Sequence, residues 1–120
     1  MMIDDVYNLT GNTGSRRYMA PEVAQFKFYN EKCDVYSFGI LFWQICALKT
    51  PFQEYDYSRH EREVIYGCAR PAVKSTWPKS CGKTMESCWD ASIQKRPDFC
   101  IILKILQEEC KVLENMNTDI

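Results

Sequence analysis

The run from Asp34 to Leu48, DVYSFGILFWQICAL, limits what this chain can fold into more than any other segment. Val35, Phe38, Ile40, Leu41, Phe42, Ile45 and Leu48 put apolar side chains on nearly every side of a helix drawn through it. A helix apolar all round is a buried helix, so other segments must supply its cover. Asn30 suits its cap, and Glu31 and Asp34 fall in the first turn, where acids favour the helix dipole. Pro51 stops it near Lys49, because the residue before a proline disfavours helical backbone and the ring carries no donor. The apolar stretch is interrupted by Gln44 and falls well short of the ~20 residues a membrane span requires.

A chain of 120 residues supports one core at most. Its 15 Lys and Arg against 16 Asp and Glu leave a net charge of -1, so it has no basic field for a nucleic acid or an anionic membrane. A content of 46% hydrophobic and 26% charged residues is that of a packed domain. The seven cysteines are odd in number and follow no secretory signal, which fits reduced thiols in a cytoplasmic protein better than a disulfide scaffold. No pair has C-x-x-C spacing, and His60, the only histidine, is eight residues from the nearest cysteine, Cys68; no metal site is expected.

Residues 1–29 lack a sustained period and carry turn chemistry, Thr10-Gly11-Asn12-Thr13-Gly14-Ser15 and then Ala20-Pro21. After the apolar helix, the pattern predicts an amphipathic helix over Arg59 to Cys68 with Val64, Ile65 and Cys68 on one side. An extended connection follows over Ala72 to Lys79. The pattern then predicts a short helix over Cys81 to Trp89 with Met85, Cys88 and Trp89 inward. Arg96-Pro97 opens the last helix, in which Phe99, Ile102, Leu103, Leu106, Cys110 and Leu113 form one stripe. Phe99, Leu103 and Leu106 are read as core, and Cys88 and Cys110 as buried thiols. No segment alternates with the period of a strand. The expected fold class is mainly α, as a single unit.

The run Thr13-Gly14-Ser15-Arg16-Arg17-Tyr18-Met19-Ala20-Pro21-Glu22 resembles the end of the activation segment of eukaryotic protein kinases. Asp34-Val35-Tyr36-Ser37-Phe38-Gly39 looks like the start of that family's central helix F, at the expected distance, and Cys88-Trp89 and Arg96-Pro97 resemble its late Cys-Trp and Arg-Pro pairs in the expected order. The spacing is similar to the tyrosine-kinase-like serine/threonine group, including Raf-like and mixed-lineage kinases. The Gly14-Ser15 start of the loop favours serine/threonine over tyrosine specificity. The resemblance implies the helical C-terminal lobe of a kinase-like fold with the N-lobe absent. Residues 1–29 would be the activation-segment end and peptide-docking loop, 30–114 the remaining helices and 115–120 a tail.

The same resemblance assigns roles. Gly14, Ser15, Arg16, Arg17, Tyr18 and Met19 would line the loop that receives the substrate residue following the phosphoacceptor. Glu22 would pair with Arg96, a buried carboxylate being best met by a bidentate guanidinium, and Trp89 would pack near them. Asp34 would accept hydrogen bonds from the catalytic loop, and Leu41 and Ile45 would underlie the hydrophobic columns of helix F. Thr10, Thr13 and Ser15 stand where activating phosphorylation falls in many relatives. For Arg16 and Arg17, a solvated face is favoured over selection of acidic substrates.

The departure from the family is equally plain. A kinase needs a glycine-rich loop, a strand lysine, H-R-D with its asparagine, and D-F-G. Asp4-Asp5 is not followed by Phe-Gly, and His60 is followed by Glu61-Arg62. The chain is therefore expected to begin after the magnesium-binding aspartate. It should hold no cofactor itself, whereas a full-length parent would use ATP and Mg2+ on protein serine or threonine. Two readings stand: a partial kinase domain, catalytically incompetent alone, or a freestanding, non-catalytic module that binds substrates or a kinase partner.

Overall fold

A computed structural model describes residues 16–118. The described residues form helices and connecting loops with no strand, in line with the mainly α expectation. The short α1, Pro21–Ala24, starts on its proline, which suits a position whose backbone donor would go unpaired in any case. Then come α2, Lys32–Ala47, and α3, Tyr57–His60, which runs into a π turn, Glu61–Ile65. After an extended connection the chain enters α4, Lys79–Cys88, a 3-10 turn at Ile93–Lys95, and the long α5, Phe99–Thr118.

Helix α2 is the axis of the structure. Asn30 serves its start, Oδ1 accepting the Lys32 N–H at 2.9 Å. Its end comes before Pro51 acts: Leu48 turns left-handed at φ 55° and donates its N–H to the Gln44 carbonyl at 2.8 Å. One stripe of α2 is buried, with Val35, Tyr36, Gly39, Ile40 and Ala47. Tyr36 and Ile40 join Ala20, Met85 and Trp89 in the main core, and Val35 joins Cys88 and Ile102 in a second. The expectation of burial on every side is overturned: Leu41, Ile45 and Leu48 are 46%, 63% and 87% exposed. They recur at steps of four and three, a stripe that the described residues leave largely uncovered.

Close approach of α2 and α4 depends on Gly39. A Cβ there would lie 2.7 Å from Cys88 Cβ and 3.3 Å from the Met85 carbonyl oxygen. The connection before α4 is tied across the same helices, Trp43 Nε1 donating to the Ala72 carbonyl at 2.7 Å while Val73 and Trp77 pack on the core. In α4, Met85, Cys88 and Trp89 are inward as expected, and burial pushes the Cys88 thiol up to about 12.

Three sequence expectations need correction. The helical segment after Asp56 ends at the π turn: Gly67 approaches the Glu63 carbonyl so closely that a Cβ would sit 2.6 Å from it, Ala69 N–H closes back on that same carbonyl at 2.8 Å, and Cys68 at φ 61° is exposed rather than inward. Pro97 lies just outside α5, whose first free donors on Ile101 and Ile102 are accepted by the Asp98 carbonyl. Along α5 only Ile102 is fully buried, with Leu106 beside it; Phe99, Leu103, Cys110 and Leu113 are exposed. The physical reason is one-sided packing. α5 leans on the α2–α4 pair along a single line, so a stripe as wide as its apolar face is only partly covered.

Replacing Gly39 by alanine should destabilise the fold by roughly 1–3 kcal/mol, because the added methyl meets a side chain and a backbone carbonyl that are both held in α4. Urea unfolding of the variant checks this, and an unchanged midpoint would refute the close approach.

Candidate functional site

The segment leading into α1 is pinned on α2 at consecutive points. Ser37 Oγ donates to the Tyr18 carbonyl at 2.6 Å and lies 3.2 Å from the Cys33 carbonyl, one turn back on its own helix. The Tyr18 hydroxyl hydrogen-bonds Gln44 Oε1, and Met19 and Ala20 are buried beneath. Met19 N–H reaches the Arg16 carbonyl at 3.1 Å, closing a turn that carries Arg16 and Arg17, both half-buried.

Below this loop, Glu22 and Arg96 meet across 74 positions of sequence. Arg96 Nη1 donates to Glu22 Oε2 at 2.6 Å and Nη2 to Oε1 at 3.0 Å, with the residues 2% and 5% exposed. Two further donors are engaged, Nε with the Asp90 carbonyl at 3.0 Å and Nη1 with the Lys32 carbonyl at 3.2 Å. The guanidinium lies 5.3 Å from the centre of the Tyr36 ring, and that of Arg70 lies 5.0 Å from it. Tyr36 is wholly buried with no partner for its hydroxyl among the described residues, and burial pushes the phenol up to about 12. Trp89 packs in the same cluster, its carbonyl accepting Arg70 Nε at 2.9 Å.

The other residues singled out in the sequence are placed as follows. Asp34 is exposed at the start of α2, and among the described residues its carboxylate is met by the Cys33 thiol alone, at 3.9 Å. Leu41 and Ile45 stand on the uncovered face of α2. Gly14 and Ser15 of the loop, and Thr10, Thr13 and Ser15 as modification candidates, lie outside the described residues. The expectation that Arg16 is a solvated charge is overturned: its side chain is 12% exposed, Nη2 lies 3.2 Å from Glu61 Oε1, and the guanidinium sits 4.3 Å over the Tyr57 ring.

Several participants were invisible in the sequence. Lys32 Nζ bonds the Arg96 carbonyl at 2.7 Å and Asp98 Oδ1 at 2.6 Å, securing the entry to α5. His60 is buried with its ring edge-on to Phe52, centroids 5.1 Å apart, and Nε2 without a partner among the described residues. Burial first, then the positive charges of Arg16 and Arg17, lower its pKa to about 4. Gln44, Arg70 and Ser37 complete the set. Apart from Ser37, which lies within the Asp34 to Gly39 run, none stands in a motif, and long-range packing gives each its partner.

A segment, Arg16 to Ala20, clamped on a central helix, with a buried carboxylate–guanidinium pair beneath it, fits the helical lobe of a protein phosphotransferase fold. The chain belongs to the protein tyrosine and serine/threonine kinase family, whose pattern its residues 2–106 match. It is 37% identical over 119 residues to the serine/threonine-protein kinase VIK of Arabidopsis thaliana, covering 96% of this chain and 26% of that protein. It is 35% identical over 103 residues to mitogen-activated protein kinase kinase kinase 7 of Drosophila melanogaster, 86% of this chain and 15% of the relative. With the serine/threonine/tyrosine-protein kinase HT1 of Arabidopsis thaliana it shares 35% identity over 102 residues, 83% of this chain and 26% of the relative. The chain thus spans about a quarter or less of the length of these relatives, which fit the tyrosine-kinase-like resemblance. Among the described residues no helix is long and apolar enough to cross a membrane.

Replacing Arg96 by methionine strands the buried Glu22 carboxylate and should cost roughly 3–5 kcal/mol. Arg96→Lys should recover only part of this, since an ammonium cannot form the bidentate pair. Denaturant titration of both variants checks the order. For His60, the folded form binds a proton less tightly than the unfolded chain, with values of about 4 and 6.5. Stability should therefore be full above pH 6.5 and fall as the pH drops towards 4, by roughly 3 kcal/mol at most. His60→Asn should flatten that segment of the stability profile, whatever it does to the plateau; an unchanged slope would refute the assignment.

Proposed function

We propose that this chain is the substrate-docking lobe of a serine/threonine protein kinase, active only in a polypeptide that also carries the nucleotide-binding residues. The observation that carries the reading is the buried, bidentate Glu22–Arg96 pair, which ties α1, at the end of the proposed docking segment, to the head of α2. Residues 1–29 are the docking and activation segment on this reading, 30–114 its helical support and 115–120 a tail. Protein substrates are the partners. Asp34, exposed at the head of α2 without a strong partner among the described residues, is the acceptor left to receive a catalytic loop. Leu41 and Ile45 form the apolar seam beneath it.

Kinases of this family use ATP and magnesium. The residues present do not fit that pair: the sequence carries neither H-R-D nor D-F-G, and among the described residues no group of three or more His, Cys, Asp or Glu could hold a metal. The chain's own part in the reaction is confined to binding and orienting a peptide, and the γ-phosphoryl transfer belongs to residues outside it. Orientation alone is a substantial share of phosphoryl-transfer catalysis, because the reaction needs in-line geometry more than covalent help. Serine and threonine are favoured over tyrosine as acceptors by the Gly14-Ser15 start of the loop.

The exposed face of α2 supports the partial-domain reading over the freestanding module, since Leu41, Ile45 and Leu48 present contiguous apolar surface to water. Incubated with ATP, magnesium and a generic protein substrate, the chain should transfer no phosphate. Turnover that survives repurification would overturn the assignment. On size-exclusion chromatography it should associate through the bare face, and a monomer with a cooperative melt would favour the module instead.

A further inference from the structure

Arg16 and Arg17 are neighbours in sequence with different fates. Arg16 is engaged on two sides, by Glu61 and by the Tyr57 ring. Arg17 is half-buried and makes no ion pair or hydrogen bond among the described residues. The nearby carboxylates are already taken, Glu61 by Arg16 at 3.2 Å and Glu63 by Arg59 at 2.8 Å with Arg62 at 3.7 Å. The positive charges of Arg16, Arg17 and Arg70 each act to lower the pKa of the buried His60.

We propose that Arg17 is a specificity-determining residue of the docking loop and selects substrates carrying an acidic side chain beside the serine or threonine that receives phosphate. The inference rests on the docking reading above and adds the substrate class to it. Two features make Arg17 suited to the task. Its neighbours are both anchored, Arg16 on Glu61 and Tyr18 on Ser37 and Gln44, so the backbone that presents it is already ordered and little freedom is lost on binding. It also stands beside a second cation whose charge is only partly offset, so a basic residue at the same substrate position meets repulsion while a carboxylate gains a charge-assisted hydrogen bond. Arg16 does not compete for that carboxylate, because Glu61 and Tyr57 hold it in place.

The test uses the 120-residue chain and three labelled peptides, identical except that the residues flanking the serine are aspartate, alanine or arginine. Fluorescence anisotropy at low ionic strength should rank them in that order, with aspartate bound roughly three- to tenfold more tightly than alanine. Added salt should shrink the difference, as expected of a screened charge pair. Arg17→Ala should bring the aspartate peptide to the level of alanine, and Arg17→Glu should invert the ranking. Arg17→Gln serves as a second neutral variant if either fails to fold. Equal affinity for the three peptides, or an aspartate preference that survives in Arg17→Ala, overturns the selection and leaves docking intact. Failure to bind any peptide overturns the docking reading, and the inference falls with it.

Discussion

The structure depends on one guanidinium. Arg96 gathers the Glu22 carboxylate and the carbonyls of Lys32 and Asp90, and so joins α1, the head of α2 and the turn after α4 at a single buried point. Such a pair adds little net stability over an apolar filling of the same volume, since desolvating two charges offsets most of their attraction. What it contributes is definition. An apolar cluster tolerates sliding, whereas a planar fork satisfied by a carboxylate and two carbonyls has one arrangement, and leaving any partner unmade in that setting is costly.

Around that point the chain divides into a side that is finished and a side that is not. Tyr36, lying against both Arg70 and Arg96, closes the core with Ile40, Met85 and Trp89, and Gly39 brings α2 and α4 close enough for the two to share it. The opposite face of α2 carries Leu41 and Ile45 into water. A segment held firmly beside a central helix whose other face is bare, in a chain of the kinase family, is what supports the docking reading proposed above.

Much of the site was legible beforehand, for reasons that differ by residue. Glu22, Arg96 and Trp89 lie in short motifs whose spacing points to the family, but their meeting could not be read from 74 intervening positions. Periodicity located α4 and its inward residues and placed α2 nearly to its ends. It failed where local chemistry overrode the pattern: the Gly67 close approach ends the helical segment before Cys68, and α5 keeps its amphipathic stripe although a single line of contact covers only part of it. Lys32, Gln44 and His60 left no signal, since each gains its place from a partner on another element.

By itself the sequence determined the helical class, the central apolar helix and the family motifs, because those depend on local propensity and on the order of residues along the chain. The tertiary structure decided which charges are buried together, which face of α2 is covered, and that Arg16 is anchored while Arg17 is free of ion pairs among the described residues. Burial and pairing are properties of surfaces brought together from distant segments, and no local pattern encodes which surfaces those are.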